Sequence, residues 1–208
     1  MKLVHAKWPL TCIAGILTII INNLLIVIAW IFFPGAFNIF ESTISTLGNS
    51  NRNPTGAIFL RLSNILTGIL FFAFYFGLFI WDKNDLSNRQ RIYLRISILL
   101  GFLTGFASIM VGIYSQEYRP YHLIWAGIFF FLNCFALVMM GMFLHEHPLG
   151  IRSIVIINFI IALFHFTLIL VLTIDAIIFE WLILFIVSFD YLLLVYNFKV
   201  MYDTELNA

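Results

Sequence analysis

Charge is what this 208-residue chain has little of: 10% of its residues are Asp, Glu, Lys or Arg, against about 25% in soluble domains. Polar stretches are scarce too, and the hydrophilic pieces between the apolar runs are too short to fold alone. There is no phosphate-cradling glycine loop, zinc-protease helix motif, nucleophile elbow or nucleic-acid signature. No sequence repeat stands out. Cysteine is nearly absent, and Cys12 and Cys134 fall at different depths of the apolar runs, so no disulfide framework is implied and both read as packing residues. These absences exclude a nucleic-acid partner and any motif-defined soluble enzyme, and nothing in the chain calls for a cofactor or a metal.

What the chain has is hydrophobic length. With 62% hydrophobic residues it contains six apolar runs, at about 9–33, 58–81, 94–115, 122–144, 153–175 and 181–201. Each approaches the ~20 residues that a ~30 Å hydrocarbon core requires. In lipid the backbone must satisfy its own hydrogen bonds, and unbroken runs without period-two alternation select helices over a barrel. The expected fold is an all-α integral membrane protein, a six-transmembrane-helix bundle forming a single domain over 1–208. Lys2 and Lys7 before an apolar run imitate a secretory signal, but the run is too long, carries Asn22 and Asn23 at its centre and lacks a small-x-small cleavage site. It reads as a retained helix.

Placing the N-terminus in the cytoplasm puts Lys2, Lys7, Lys83, Arg89, Arg91, Arg95, Arg152 and Lys199 inside and Arg52, Arg61 and Arg119 outside. That asymmetry obeys the positive-inside rule. Both termini are then cytoplasmic, with outer loops at 34–57, 116–121 and 176–180, in the cell membrane. In the first outer loop Phe37, Phe40, Ile44 and Leu47 share one helical side and Asn38, Glu41, Ser42 and Ser45 the other. This spacing predicts a short interfacial helix ended by Gly48. Asn53-Pro54 has the chemistry of an N-cap and first helical position for the second span. In the third, Gly101, Gly105, Ser108 and Gly112 line one face with small side chains, the device by which membrane helices approach closely.

Two groups of polar residues are candidates for function. The outer side gathers Glu41, Ser42, Ser45, Arg52 and Arg61, then Tyr114, Glu117, Arg119 and His122, then Asp175 and Glu180. Carboxylates, cations and a histidine on converging loops suit acid/base or headgroup-binding chemistry. Glu41, Glu117 and His122 are the catalytic candidates; Ser42, Ser45, Arg61, Tyr114 and Arg119 are the substrate-binding ones. Glu117 is placed to tune His122, and Arg61, inside the second span, is expected to pair with a carboxylate such as Glu41. The second group is intramembrane. His165 and Asp190 count to similar depth on adjacent antiparallel spans, which predicts a His–Asp hydrogen bond, with Asn22, Asn23 and Asn133 in the same layer. As fasteners such groups contribute about 0.6 kcal/mol each; as ionisable steps they would form a relay. The run His145-Glu146-His147-Pro148 has only two histidines, a weak metal signal without further ligands.

The order of these features resembles a known pattern. Ser42-Thr43-Ile44-Ser45-Thr46-Leu47-Gly48, then Asn53-Pro54, then Leu62-Ser63-Asn64-Ile65-Leu66-Thr67-Gly68, then Val111-Gly112-Ile113-Tyr114, His122 and Phe129 to Phe131 resemble the bacterial and archaeal membrane family called domain of unknown function 998. The resemblance covers about two thirds of the chain, with Ser115 where the pattern has a proline. That family is similar to the Frag/DRAM/Sfk six-helix membrane proteins, which are tied in eukaryotes to lipid organisation. The resemblance implies a six-helix bundle and no particular reaction. The expected function is binding or modification of a lipid or other amphiphile at the outer leaflet, with membrane lipids as partners. The alternatives are a small-solute, proton or ion transporter using the mid-membrane layer, and a non-catalytic membrane scaffold.

Overall fold

Six long α-helices make up most of the chain: α1 Leu10–Ile31, α2 Ala57–Gly77, α3 Asn88–Ile113, α4 Arg119–Glu146, α5 Arg152–Val171 and α6 Ile177–Asn207. The computed structural model describes residues 8–171 and 177–207, the side chains of 168–171 excepted. Lys2, Lys7 and Asp175, which carry part of the topology and outer-face readings, lie outside the described residues. Five helices, all but α5, are long and apolar enough to cross a membrane when the short 3-10 turns flanking α2 and α4 are included. No strand occurs among the described residues.

Helix ends follow capping chemistry rather than the ends of the apolar runs. Helix α3 starts six residues before its apolar stretch because Ser87 and Gln90 form a capping box: the Ser87 hydroxyl accepts the Gln90 N–H and the Gln90 side chain accepts the Ser87 N–H. Its charged first turns are therefore helical. Pro120 occupies the first turn of α4, where its missing N–H costs nothing. Helix α6 continues through its polar end, where Lys199 pairs with Asp203 one turn on.

Each helix packs against its neighbours in sequence, and α6 returns to α1, so the six close into a ring. A hydrogen bond crosses every seam. Ser63 donates to the Asn22 side chain at 2.8 Å between α2 and α1, and Ser108 to the Asn64 carbonyl at 2.8 Å between α3 and α2. Ser97 donates to the Ala136 carbonyl at 3.1 Å between α3 and α4. Asn133 donates to His165 Nε2 at 2.8 Å between α4 and α5, Asn158 to Asp190 at 3.4 Å between α5 and α6, and Asn23 to Ser188 at 3.0 Å between α1 and α6.

The predicted His165–Asp190 bond is therefore corrected. His165 Nδ1–H donates to the Ile161 carbonyl at 2.9 Å, one turn back on its own helix, which leaves Nε2 as acceptor for Asn133. Asp190 instead faces Asn158, two helical turns from His165. Counting residues from a turn centred at 178 misjudged the register, since α6 is already helical at Ile177.

The small-residue row of α3 does face a neighbour closely. A Cβ on Gly105 would lie 2.8 Å from the Gly68 carbonyl oxygen, and one on Gly68 2.4 Å from that of Gly105. At the same seam a Cβ on Gly112 would meet the Arg61 carbonyl oxygen at 2.7 Å. Backbone touches backbone along α2 and α3.

At one end of the ring Arg91 and Arg95 pair with Asp82, and Lys83 pairs with Glu205. His147 there accepts the Leu149 N–H on Nδ1; burial holds its pKa below the ordinary value, against the pull of Glu205 and Asp85. The neutral ring keeps that acceptor free. Among the described residues no three His, Cys, Asp or Glu side chains gather as metal ligands.

The contact between α2 and α3 gives a direct test. Gly105→Leu forces a branched side chain into backbone, and overpacking of this kind costs about 1–3 kcal/mol or more. The thermal midpoint of the purified protein should fall by several degrees, while Gly127→Leu, where a Cβ meets nothing within 4 Å, should leave it unchanged. Equal midpoints would refute the close crossing.

Candidate functional site

Beyond α1 the chain turns at Pro34-Gly35, where Gly35 has φ 85°, a backbone conformation that glycine adopts without strain. The helix expected over Phe37 to Leu47 does not form as one piece. Asn38 takes the Phe40 N–H on its side chain at 3.0 Å and the Glu41 and Ser42 N–H groups on its carbonyl. This Asx turn competes with the helical ladder, and only a 3-10 turn at Ile44–Gly48 follows. Phe37 packs against Trp30, Phe33 and Trp181, whereas Phe40 points outward.

Asn53 fastens this loop. Its side chain accepts the Gly56 N–H at 3.0 Å and donates to the carbonyls of Leu47 at 2.8 Å and Ala29 at 3.0 Å. One fully buried amide so joins the 3-10 turn, the end of α1 and the turn leading into α2. The expected capping role appears three residues early, since α2 proper starts at Ala57. Trp181 donates to the Ser42 carbonyl at 3.0 Å and ties the loop to α6.

Beneath the loop lies a cavity of about 230 Å³ inside the ring. Thr43, Ser45, Gln116, Arg119, His122 and Glu180 rim it. Its walls are largely apolar, with Ile19 and Ile26 from α1, Leu60 from α2, Val111 from α3, Leu123 and Ala126 from α4 and Val187 from α6. Polar wall groups are mostly committed elsewhere: Thr18 donates to Ala14, Asn64 to Leu60, and Asn22 and Ser108 belong to the seams. The floor is a stack of rings. Phe71 lies 5.0 Å from Tyr191 at 6° and 6.3 Å from Phe129 at 8°. Below it the ring is filled by Phe74, Tyr75, Leu137, Met140, Leu194 and Phe198.

At the rim three side chains meet. His122, buried in the first turns of α4, donates from Nδ1 to the Tyr114 carbonyl at 2.8 Å, because a carbonyl can only accept. Its Nε2 lies 3.1 Å from Ser45 Oγ. Glu180 on α6 reaches the same serine: its Oε2 accepts the Ser45 N–H at 3.2 Å and lies 3.2 Å from Ser45 Oγ. Ser45 thus stands between an imidazole and a carboxylate contributed by two different helices.

The other candidates take different places. Arg61 pairs with Glu117 instead of Glu41, and also reaches the Ser50 hydroxyl at 2.7 Å and the Gly48 carbonyl at 3.4 Å. Glu117 in addition accepts the Ser50 N–H at 2.7 Å. The reason for the correction is distance along the loop: the turn before α4 brings Glu117 over the start of α2, while Glu41 is exposed in the Asn38 turn and does not line the cavity. Glu117 is accordingly the partner of Arg61, and His122 has Ser45 and Tyr114 as its neighbours. Ser42 takes part through its carbonyl. Tyr114 also does so, and its ring packs on Tyr118 and Tyr121.

Sequence reasoning placed Glu180 among the outer groups without giving it a role, and passed over Gln116, Asn158 and Ser188. Asn158 carried a signal, being an amide inside the fifth apolar run, two turns from His165. The others depend on which helices become neighbours.

A ring of apolar helices around a polar-rimmed cavity is the construction of a multi-pass membrane protein. The chain belongs to the family described as protein of unknown function (DUF998), whose model matches residues 12–196. That match carries nothing about the Frag/DRAM/Sfk proteins. No curated protein and no solved structure matches the chain.

The Arg61–Glu117 pair is half-buried and linked to three further groups, so its loss should be felt in the loop. Glu117→Gln should lower stability by about 1.5–3 kcal/mol, the range for hydrogen bonds to charged groups. Arg61→Lys should fall within the same range, because an ammonium cannot reproduce the guanidinium fork toward Ser50 and Glu117. Chemical denaturation of the two variants would measure this, and unchanged stability in both would contradict the pairing.

Proposed function

We propose that this is a six-span protein with both termini in the cytoplasm, which takes an acyl chain of a lipid or other amphiphile into the ring from the outer-leaflet side. The cavity carries the reading: a mostly apolar interior closed below by stacked rings, with the charged groups and the histidine gathered at one end. At about 230 Å³ it is smaller than the ~300–1,000 Å³ of typical ligand sites, which favours one chain over a two-tailed body. The headgroup would meet Ser45, His122, Arg119 and Gln116 at the rim.

Helix α5 supports the sixth span. Its 20 residues at 1.5 Å per residue reach about 30 Å, the thickness of the hydrocarbon core, and it packs between α4 and α6. The cluster of Asp82, Lys83, Arg91, Arg95 and Glu205 at the end opposite the cavity supports a cytoplasmic location for that end. A conducting path has less support, because the solid core below the aromatic floor separates the cavity from that end.

Two measurements test this. In intact cells a membrane-impermeant thiol reagent should label Asn51→Cys and spare Asn84→Cys, both exposed positions, against the buried native Cys12 and Cys134; the opposite pattern would reverse the orientation. For the cavity, Ala126→Trp should fill it and weaken binding of a fluorescent single-chain amphiphile at least tenfold with the thermal midpoint preserved. Undiminished binding in a folded variant would rule the cavity out as the binding site.

A further inference from the structure

We propose that Glu180, Ser45 and His122 form a proton-holding relay at the cavity rim, in which the carboxylate and the imidazole share one proton through the serine hydroxyl. The argument is a count of protons. The Tyr114 carbonyl can only accept, so the 2.8 Å contact fixes a proton on His122 Nδ1. A neutral imidazole has no second proton, which leaves Nε2 bare. Two contacts remain, Nε2 to Ser45 Oγ at 3.1 Å and Ser45 Oγ to Glu180 Oε2 at 3.2 Å. The serine has one proton for both.

With Glu180 ionised and His122 neutral, one of those contacts sets lone pair against lone pair. Both are satisfied only when the group carries one further proton, either on the Glu180 carboxyl or on His122 Nε2. The two forms interconvert without net change: the Glu180 carboxyl gives its proton to Ser45 Oγ while the Ser45 hydroxyl gives its own to Nε2, leaving carboxylate, hydroxyl and imidazolium. Ser45 ends as it began. The backbone N–H of Ser45, donated to the same Glu180 oxygen, holds the carboxylate in place through the exchange.

The charged groups around the trio are Arg119 from the first turn of α4, which lines the same rim, and the Arg61–Glu117 pair formed by α2 and the turn before α4. Neither member of that pair is bonded to His122. A proton held beside an apolar cavity is a general acid available to a headgroup oxygen, and its conjugate form a general base. That use rests on the amphiphile reading; the holding of the proton does not, and it should be present with the cavity empty.

The experiment uses the full-length protein with ¹⁵N-labelled histidine in lipid nanodiscs, with the His122→Asn variant identifying the His122 signals. Across pH, Nδ1 should stay protonated while Nε2 titrates. Ser45→Ala removes the hydroxyl and keeps the backbone N–H, and Glu180→Gln removes the charge. Each should move the Nε2 titration to lower pH by about one unit or more, the first through loss of the hydrogen bond that accepts the imidazolium proton and the second through loss of the opposite charge. Retained protonation of Nδ1 in both variants reports that the Tyr114 contact, and hence the local fold, survives. A titration unmoved in either variant, or one in which Nδ1 loses its proton, would overturn the relay. No amphiphile is added, so the outcome is independent of whether the Ala126→Trp measurement supports cavity binding.

Discussion

Closure of the six helices into a ring is the constraint from which the rest of the structure follows. Lipid tails are as apolar as leucine, so burial alone gives membrane helices no reason to associate, and packing and hydrogen bonds must supply it. Here the six seams each carry a hydrogen bond, from Ser63 to Asn22 around to Asn23 and Ser188. Each contributes only about 0.6 kcal/mol on average, too little to hold a pair of helices alone. Their arrangement matters more than their sum, because every helix is oriented by bonds on two sides. Where α2 and α3 meet, glycine brings the backbones together and dispersion adds to the bond.

A closed ring can be solid or hollow, and this one is both. Below Phe71 and Tyr191 large aromatic and aliphatic side chains fill the interior; above them smaller and committed polar groups leave space. The stacked rings mark the change. The hollow half therefore has a rigid floor, and its charged groups are held at the rim by the connections that reach it. Those connections are tied to the helices at several points: Asn53 to α1, Arg61 of α2 to Glu117, and Trp181 and Glu180 of α6 to the first loop. The position of Ser45 against His122 is a consequence of that tethering.

Much of this was legible in the chain. Apolar length gave the helices, and the four-three-four spacing of Gly101, Gly105, Ser108 and Gly112 gave the close face of α3, because helical period relates sequence to surface directly. The order of motifs gave the family. Depth along a helix is also readable, but rotation about its axis and the register of a hairpin are not, which is why His165 and Asp190 were paired and in fact take Asn133 and Asn158. The loop helix failed for a local reason, since Asn38 offers its own side chain to the backbone. Ser45 and His122 stood out as residue types at the outer end. That Glu180 would join them depends on α6 closing onto α1, and no spacing in the sequence reports which distant helices become neighbours.

Burying ionisable groups at such a rim is costly unless each is paired and hydrogen-bonded. Arg61 and Glu117 meet that condition by direct contact, with Ser50 and Gly48 accepting further bonds from the guanidinium. The contacts of that pair hold the loop. His122 and Glu180 approach each other through a hydroxyl, which separates the two ionisable groups while keeping them linked. An indirect link of this kind fixes position less firmly than the direct pair does, and in the proposed relay the proton's location would depend on what occupies the cavity. Glu117 thus stabilises the architecture, while Glu180 lies at the rim itself, bonded to Ser45 and, in the relay we propose, linked through it to His122.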